Sequence, residues 1–332
     1  MRRLLIATTV LLFFVLLLVS SYAYQILLSP VAPPQQIDYR LQPGTSLSQV
    51  AADLQNRGVL RSSLSLKLFA RLNDAGGKIQ SGTYRFSTQA TPEQVLQRLI
   101  AGDVNQVSLT IPEGFTQAQI FARIAELGYG DAGKLKRLAY DVDFINSLQV
   151  DANSLEGYLF PETYLFTPGI TEAQLLAMMV KQLQQKLKPA LLKKARQNNL
   201  NLHQLVTLAS IIEKETAKAE EMPLISSVFH NRLKRGIQLQ TDPTVIYGIA
   251  NFDGNLTRKH LKTPTPYNTY IIRGLPPGPI ASPGLAALQA AAEPAATKYL
   301  YFVSRGDGSH QFSRTLQEHN RAVRKYQLQR RH

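Results

Sequence analysis

The sequence predicts an α+β protein: an N-terminal transmembrane helix, then small α+β units, then a mainly helical C-terminal domain. Three observations predict it. An uncharged apolar run directly follows Met-Arg-Arg, a strand-turn-helix pattern recurs three times before residue 130, and helical periodicity dominates from Thr171 on. A length of 332 residues favours two domains over one and excludes a small stapled scaffold. The chain has no cysteine, which removes disulfides, thiolate metal sites, a cysteine nucleophile and a lipidated N-terminal cysteine. With 37 Lys and Arg against 23 Asp and Glu, the formal charge of +14 favours anionic partners: nucleic acid, phospholipid head groups or an acidic polymer.

The apolar run from Leu4 to about Ala23 carries no charge. A spanning helix needs roughly 20 apolar residues, whereas a secretory h-region needs only about 7 to 15. The expected layout is a cytoplasmic stub at 1–3, a retained signal anchor at 4–24 and a proline-rich linker at 25–36. Cleavage near Ser21-Tyr22-Ala23 is the alternative. Arg2 and Arg3 should hold the short end in the cytoplasm. Everything after Tyr24 then lies outside, which argues against nucleic acid and turns the positive charge toward the outer face of the membrane or an anionic cell wall. Ser29-Pro-Val-Ala-Pro-Pro-Gln-Gln36 reads as a stiff spacer.

The repeated pattern begins with Tyr39-Arg-Leu-Gln-Pro-Gly-Thr45 and an amphipathic stretch from Ser46 to Arg57, with Leu47, Val50, Ala51 and Leu54 on one face and Thr45 or Ser46 as cap. It returns as Gly82-Thr-Tyr-Arg-Phe86 before a helix from Thr91, with Thr91 as N-cap and Pro92 at the first helical position. The third copy is Val107-Ser-Leu-Thr-Ile-Pro-Glu-Gly-Phe-Thr116, followed by a helix bearing Ile120, Ile124 and Leu127. These units occupy 37–104 and 105–153. Residues 37 to about 60, a strand, a Pro-Gly-Thr turn and a helix, resemble a LysM-type glycan-binding module. A generic packing unit that binds nothing has the same pattern.

The third region, 154–332, opens on Leu155-Glu-Gly-Tyr-Leu-Phe-Pro-Glu-Thr-Tyr-Leu-Phe166. A helical pattern follows from Thr171 to about Asn198, which Pro189 should interrupt. It carries Lys181, Lys186, Lys188, Lys193, Lys194 and Arg196, with no acidic residue between Glu172 and Glu213, and reads as a solvated basic surface. No GxSxG elbow, phosphate loop, HExxH or GxGxxG occurs, so serine and zinc hydrolysis are unsupported. His203, His230, His260, His310, His319 and His332 show no ligand spacing and read as surface or hydrogen-bonded residues; no metal and no cofactor is implied.

The chemistry concentrates in Leu205-Val-Thr-Leu-Ala-Ser-Ile-Ile-Glu-Lys-Glu-Thr216. Its apolar face carries Leu205, Leu208, Ala209 and Ile212, and at about 100° per residue Glu215 lies nearer the centre of that stripe than Glu213 does. A glutamic acid in a partly apolar setting stays protonated near neutrality and can give its proton to a leaving oxygen. Glu215 is therefore the general-acid candidate, with Glu213 as the alternative. Four further segments mix amides, hydroxyls, tyrosines and prolines as a sugar groove does: Ser227–Leu233, Leu239–Gly248, Thr263–Tyr270 and Gly274–Gly284.

Glu156-Gly-Tyr-Leu-Phe-Pro-Glu-Thr163, Ala209-Ser-Ile-Ile-Glu-Lys-Glu-Thr216, Leu239-Gln-Thr-Asp-Pro-Thr244, Pro266-Tyr-Asn-Thr-Tyr270 and Gly274-Leu-Pro-Pro-Gly278 closely resemble the YceG-like endolytic murein transglycosylases. The likeness covers nearly the whole chain, to Tyr299-Leu-Tyr-Phe-Val303. It implies an enzyme of the inner membrane with its catalytic domain in the periplasm. Such an enzyme cuts β-1,4 bonds between N-acetylmuramic acid and N-acetylglucosamine in nascent peptidoglycan strands and leaves a 1,6-anhydro end. The family glutamate, with chemistry like that of lysozyme-type lytic enzymes, aligns with Glu215. Gln240, Thr241, Asp242, Tyr267, Asn268 and Tyr270 are candidates for positioning the sugar. Glu156 and Glu162 can either enter the cleft or serve in capping and packing. The implied partners are glycan strands, the membrane and peptidoglycan synthases. A non-catalytic peptidoglycan anchor and a muramidase-type hydrolase are the other classes.

Overall fold

Ser46, Thr91 and Thr116, which open the three repeated helices, build the same cap. Each side chain accepts the N–H of a glutamine three residues on, and that glutamine's side chain accepts the cap residue's own N–H, pairing Ser46 with Gln49, Thr91 with Gln94 and Thr116 with Gln119. The reciprocal pair satisfies two donors that a first helical turn leaves open. The recurring pattern in the sequence is thus a recurring helix start.

The computed structural model describes residues 2–328, which leaves His332 and the two ends of the expected layout, in the 1–3 stub and the 154–332 domain, outside the described residues. The chain forms two compact units. The first runs up to Ser108 and includes Leu165–Gly169; the second is Leu109–Tyr164 with the chain from Ile170 on.

In the first unit, α1 (Arg2–Leu27) contains Thr8–Leu27, the one helix among the described residues long and apolar enough to cross a bilayer, with a mean hydropathy of 2.2. It runs past the expected end at Tyr24, because the apolar sequence keeps its helical period until Ser29-Pro30 stops it. The linker is correspondingly shorter, and it is not free. Val31 and Ala90 exchange both backbone hydrogen bonds, at 2.9 and 3.0 Å, in an isolated antiparallel bridge.

Four elements follow in β-α-α-β order: β1 (Ile37–Leu41), α2 (Leu47–Asn56), α3 (Ser63–Leu72) and β2 (Gly82–Phe86); α4 (Pro92–Ala101) comes after them. β1 and β2 pair antiparallel from Ile37 opposite Phe86 to Leu41 opposite Gly82. Along β1, Ile37, Tyr39 and Leu41 are buried while Asp38 and Arg40 face solvent, the period of two that a half-covered strand shows. One core joins Tyr39, Val50, Leu54, Tyr84, Phe86 and Leu96. The first two repeats are therefore not separate modules. A lone strand and helix cannot bury both of their apolar faces, so the two copies share a sheet.

The third repeat behaves differently, since its strand, β3 (Val107–Thr110), pairs with β4 (Thr163–Phe166). In the second unit its helix, α5 (Gln117–Glu126), buries Ile120 and Ile124. Leu127 was expected on the same face, but the helix ends before it and leaves it 40% exposed as the C-cap. After α6 (Ala132–Ala139) and α7 (Val142–Ser147), the basic stretch divides at Pro189 into α8 (Glu172–Lys186) and α9 (Pro189–Gln197). Part of its charge is paired, Lys186 with Glu162 and Lys194 with Glu293.

The centre of this unit is α10 (Leu202–Glu215), surrounded by α9, α11 (Met222–Lys234), α12 (Asp242–Tyr247) and, after α13 (Arg258–Lys262), α14 (Leu285–Ala292). The alanines of α14 allow a close approach. Every residue from Leu205 to Ile212 is buried, so α10 has no single apolar stripe. The hairpin β5 (Tyr301–Ser304) and β6 (His310–Ser313) and the helix α15 (Leu316–Val323) complete the unit.

Candidate active site

Glu215 is the last residue of α10 and lines a cleft of about 510 Å³ within the second unit. Burial pushes its carboxyl up to about 7; a hydrogen bond donated by the Thr241 hydroxyl to Oε1 opposes this, and the Asp242 charge adds to it. At neutral pH the group thus retains its proton in a substantial share of molecules, as a proton donor requires.

Glu213 is held elsewhere. Its Oε2 accepts the Gly284 N–H at 2.9 Å, and it does not line the cleft. Burial raises its carboxyl too, with the Gly284 bond opposing and the Glu113 charge adding. The two glutamates are therefore separated by their partners rather than by one face of α10, since that helix is covered all round.

The loop before α12 is built on buried hydroxyls. Gln240 has a left-handed backbone, φ 52°, and its N–H bonds Thr269 O at 3.0 Å. Thr241 N–H reaches Thr269 Oγ1 at 3.1 Å, and Thr244 Oγ1 returns to Thr241 O at 2.8 Å. A non-glycine residue held at positive φ stores strain that this hydrogen-bonding must over-determine. At the start of α12, Asp242 Oδ1 accepts from the Tyr270 hydroxyl at 2.6 Å. Gln240, Thr241, Asp242 and Tyr270 thus line one cleft with Glu215.

Tyr267 and Asn268 do not. Tyr267 packs 4.8 Å from the Tyr247 ring and lines a separate hollow with His203 and Pro277. Asn268 is fully buried; its amide donates to His260 O, Leu261 O and Thr263 O at 3.2, 3.2 and 2.8 Å, and its Oδ1 accepts from Tyr270 N–H at 3.0 Å. It braces the loop that presents Tyr270 and has no face left for a sugar. The other carboxylates are also away from the cleft: Glu162 bonds Lys186 at 3.1 Å, and Glu156 is buried against Gln117 N–H and the Tyr247 hydroxyl.

Sequence reasoning placed Arg232 in a groove-like segment without giving it a role, and it missed the walls from β5, β6 and α15. Arg232 is buried and donates to Gln238 O, Leu239 O and Gln240 Oε1 at 2.9, 3.0 and 3.1 Å, tying the strained loop to α11, and to Leu300 O at 2.7 Å. Its guanidinium lies 5.0 Å from the Tyr301 ring, which stacks on His319 at 5.2 Å and 23°. From α15, Leu316, His319, Asn320 and Val323 face the cleft at the spacing of one helical face. His310 lines it as well, with Nδ1 2.6 Å from Glu221. The histidines were expected at the surface or hydrogen-bonded. His203, His230 and His310 are bonded, but His319 Nδ1 is buried without a partner. The available signal was the spacing of Leu316, His319, Asn320 and Val323, which a scan for metal-ligand pairs does not register. Among the described residues no cluster of His, Asp or Glu could hold a metal.

The sequence profile of the YceG-like family matches residues 39–325, and the chain belongs to that family. It is 34% identical over 319 residues to the endolytic murein transglycosylase of Bacillus subtilis, covering 90% of this chain and 88% of that relative. An endolytic murein transglycosylase of Streptococcus pneumoniae is 27% identical over 339 residues, which is 91% of this chain and 61% of that longer relative. The crystal structure of a YceG-like protein from Listeria monocytogenes superposes with a TM-score of 0.60 at 30% identity, covering 86% of this chain and 98% of that one.

Proposed function

We propose that this chain is an endolytic murein transglycosylase that cuts the β-1,4 bond between N-acetylmuramic acid and N-acetylglucosamine within peptidoglycan strands, with Glu215 as its acid and base. The observation that carries the mechanism is the Glu215 carboxyl, raised to about 7 and bonded by Thr241 in a cleft walled by polar and aromatic groups. Family membership and the names of the relatives support the reaction class.

Most glycosidases set two carboxyl groups across the scissile bond. Here one suffices if the substrate supplies the second nucleophile. Glu215 gives its proton to the glycosidic oxygen, the C1–O4 bond breaks, and the N-acetylglucosamine leaves with a free 4-hydroxyl. The muramyl C6 hydroxyl oxygen then closes on C1, and its proton returns to Glu215. No water is consumed, and the product is a 1,6-anhydro end. Thr241 orients the carboxyl; Gln240, Asp242 and Tyr270 are assigned to the sugar. Tyr301 offers an aromatic face to a pyranose ring.

The setting belongs to the same proposal. α1 anchors the chain in the inner membrane with the catalytic unit in the periplasm, in reach of peptidoglycan synthases, and the cuts terminate glycan elongation. The β-α-α-β order and capped helices of the first unit support a LysM-like role in placing the strand. The deciding experiment is mass spectrometry of glycan strands digested with the purified chain. Products one water lighter than hydrolysis products support the transglycosylase; reducing ends indicate a hydrolase, and uncut strands a binding protein.

A further inference from the structure

Folding leaves one face of α3 uncovered. Leu64, Leu68 and Leu72 are 64%, 41% and 72% exposed, while Leu66 and Ala70 are buried on the opposite side. The three leucines follow one another four residues apart, in one row along the helix, and Lys67 and Arg71 flank that row. The outer face is thus apolar with two cations and no carboxylate. An aligned apolar row of this kind on a folded unit marks an interaction surface.

The location identifies what covers it. Within the first unit α3 lies against α1. Among the α1 positions whose burial is described, the partly covered ones are Ala23, Ile26 and Leu27, at the end that leads into the folded chain. α3 therefore stands close to the point where the apolar span Thr8–Leu27 ends. A helix with leucines on one face and basic residues beside them is suited to lie in a membrane interface, its apolar row in the acyl boundary and its cations on lipid phosphates.

We propose that α3 is an interfacial helix that seats the first unit on the surface of an anionic phospholipid bilayer. Leu64, Leu68 and Leu72 enter the lipid, and Lys67 and Arg71 bind its phosphates. This rests on reading α1 as a retained span. A flexible tether lets a catalytic unit sample any distance from the bilayer, whereas a seated α3 fixes the height and tilt at which the first unit meets a glycan strand.

The chain has no cysteine, so Leu64→Cys, Leu68→Cys and Leu72→Cys each accept a single environment-sensitive fluorophore in the full-length protein. Gln97→Cys, exposed on α4, is the control. The labelled proteins are reconstituted into vesicles of phosphatidylglycerol with phosphatidylcholine, carrying brominated acyl chains as quenchers, and floated on a density gradient. The expected result is about twofold stronger quenching at the three leucine positions than at Gln97→Cys, weakened by the double substitution Lys67→Glu, Arg71→Glu and by vesicles of phosphatidylcholine alone. Chains that float with the vesicles but report water at all three leucine positions overturn the proposal while leaving the span intact. Chains that do not float overturn the span and the proposal with it. Shielding that grows with protein concentration in detergent overturns it in favour of a second copy on this face.

Discussion

The Tyr247 hydroxyl donates a hydrogen bond to Glu156 Oε2 at 3.1 Å, and Tyr247 ends the short helix α12 whose first residue, Asp242, faces the cleft. Glu156 Oε1 meanwhile accepts the Gln117 N–H at 3.0 Å, at the start of α5. A buried carboxyl remote from the cleft therefore holds the far end of the helix that presents Asp242, directly after Thr241. Burial pushes Glu156 up to about 7, against the bonds from Gln117, Tyr247 and Gly157.

Tyr247→Phe should lower stability by about 1–2 kcal/mol, because it leaves the carboxyl with one donor fewer in a buried site. A carboxyl raised in the fold binds its proton more tightly there than in the unfolded chain. Its contribution is therefore most favourable below its ordinary value of 4.5 and is lost as pH rises through about 7. Urea midpoints should fall between pH 5 and pH 8 in the parent and fall further in Tyr247→Phe. A midpoint unchanged by the substitution at both pH values refutes the bracing role.

Glu215→Gln keeps shape and hydrogen-bonding but cannot donate and recover a proton. Turnover on glycan strands should drop roughly 10²- to 10⁴-fold, toward the upper end because one group serves both steps, while the melting temperature and glycan binding are retained. Glu213→Gln should lose far less turnover, its cost appearing instead as weaker packing against Gly284. If Glu213→Gln is the inactive variant and Glu215→Gln retains activity, the assignment of the acid is wrong.

The proposed role of protonated Glu215 as the donor fixes the expected pH profile. kcat/KM should decline on the alkaline side with a midpoint near 7, where Glu215 ionises. The Thr241 hydroxyl bond favours the ionised carboxyl, so Thr241→Val should raise the pKa and move the alkaline limb to higher pH even as the rate falls. A limb that stays in place, or moves down, contradicts the role given to Thr241.

Gly157 sits at φ 79°, and a Cβ there would stand 2.4 Å from Pro279 Cβ and 3.1 Å from Val206 Cγ1. Gly157→Ala combines a left-handed backbone with overpacking and should destabilise by about 2–4 kcal/mol. Thermal melts of the two proteins test this. A loss under about 0.5 kcal/mol, the range of neutral surface changes, would mean the turn relaxes freely.

Local features were legible in the sequence because their causes are local. Thr91-Pro92 starts α4 and Pro189 divides α8 from α9. That Gln240, Thr241, Asp242 and Tyr270 line one cleft with Glu215 is a long-range fact, and the sequence named them only as candidates. Long-range pairing was not legible: nothing in Gly82-Thr-Tyr-Arg-Phe86 says that it pairs with β1 rather than heading its own module. Asn268 looked like a sugar ligand because an amide in a tyrosine-rich loop can face either way, and only the carbonyls of α13 and the residues after it turn it inward. Tyr301, inside the quoted Tyr299-Leu-Tyr-Phe-Val303, received no role and His319 escaped, because only the fold brings α15 against β5 to make the cleft wall they form.

Glu215 stands at the C-terminal end of a helix of 14 residues. The aligned peptide dipoles of such a helix leave roughly half a negative charge at that end, where cations are favoured and anions disfavoured. The backbone of α10 therefore resists ionisation of the carboxyl it carries and reinforces the effect of burial and of Asp242. Under the proposed mechanism it would also favour the oxocarbenium-like positive charge that develops as the bond breaks. The same carboxyl in the first turn of a helix would be the stronger anion and the poorer proton donor.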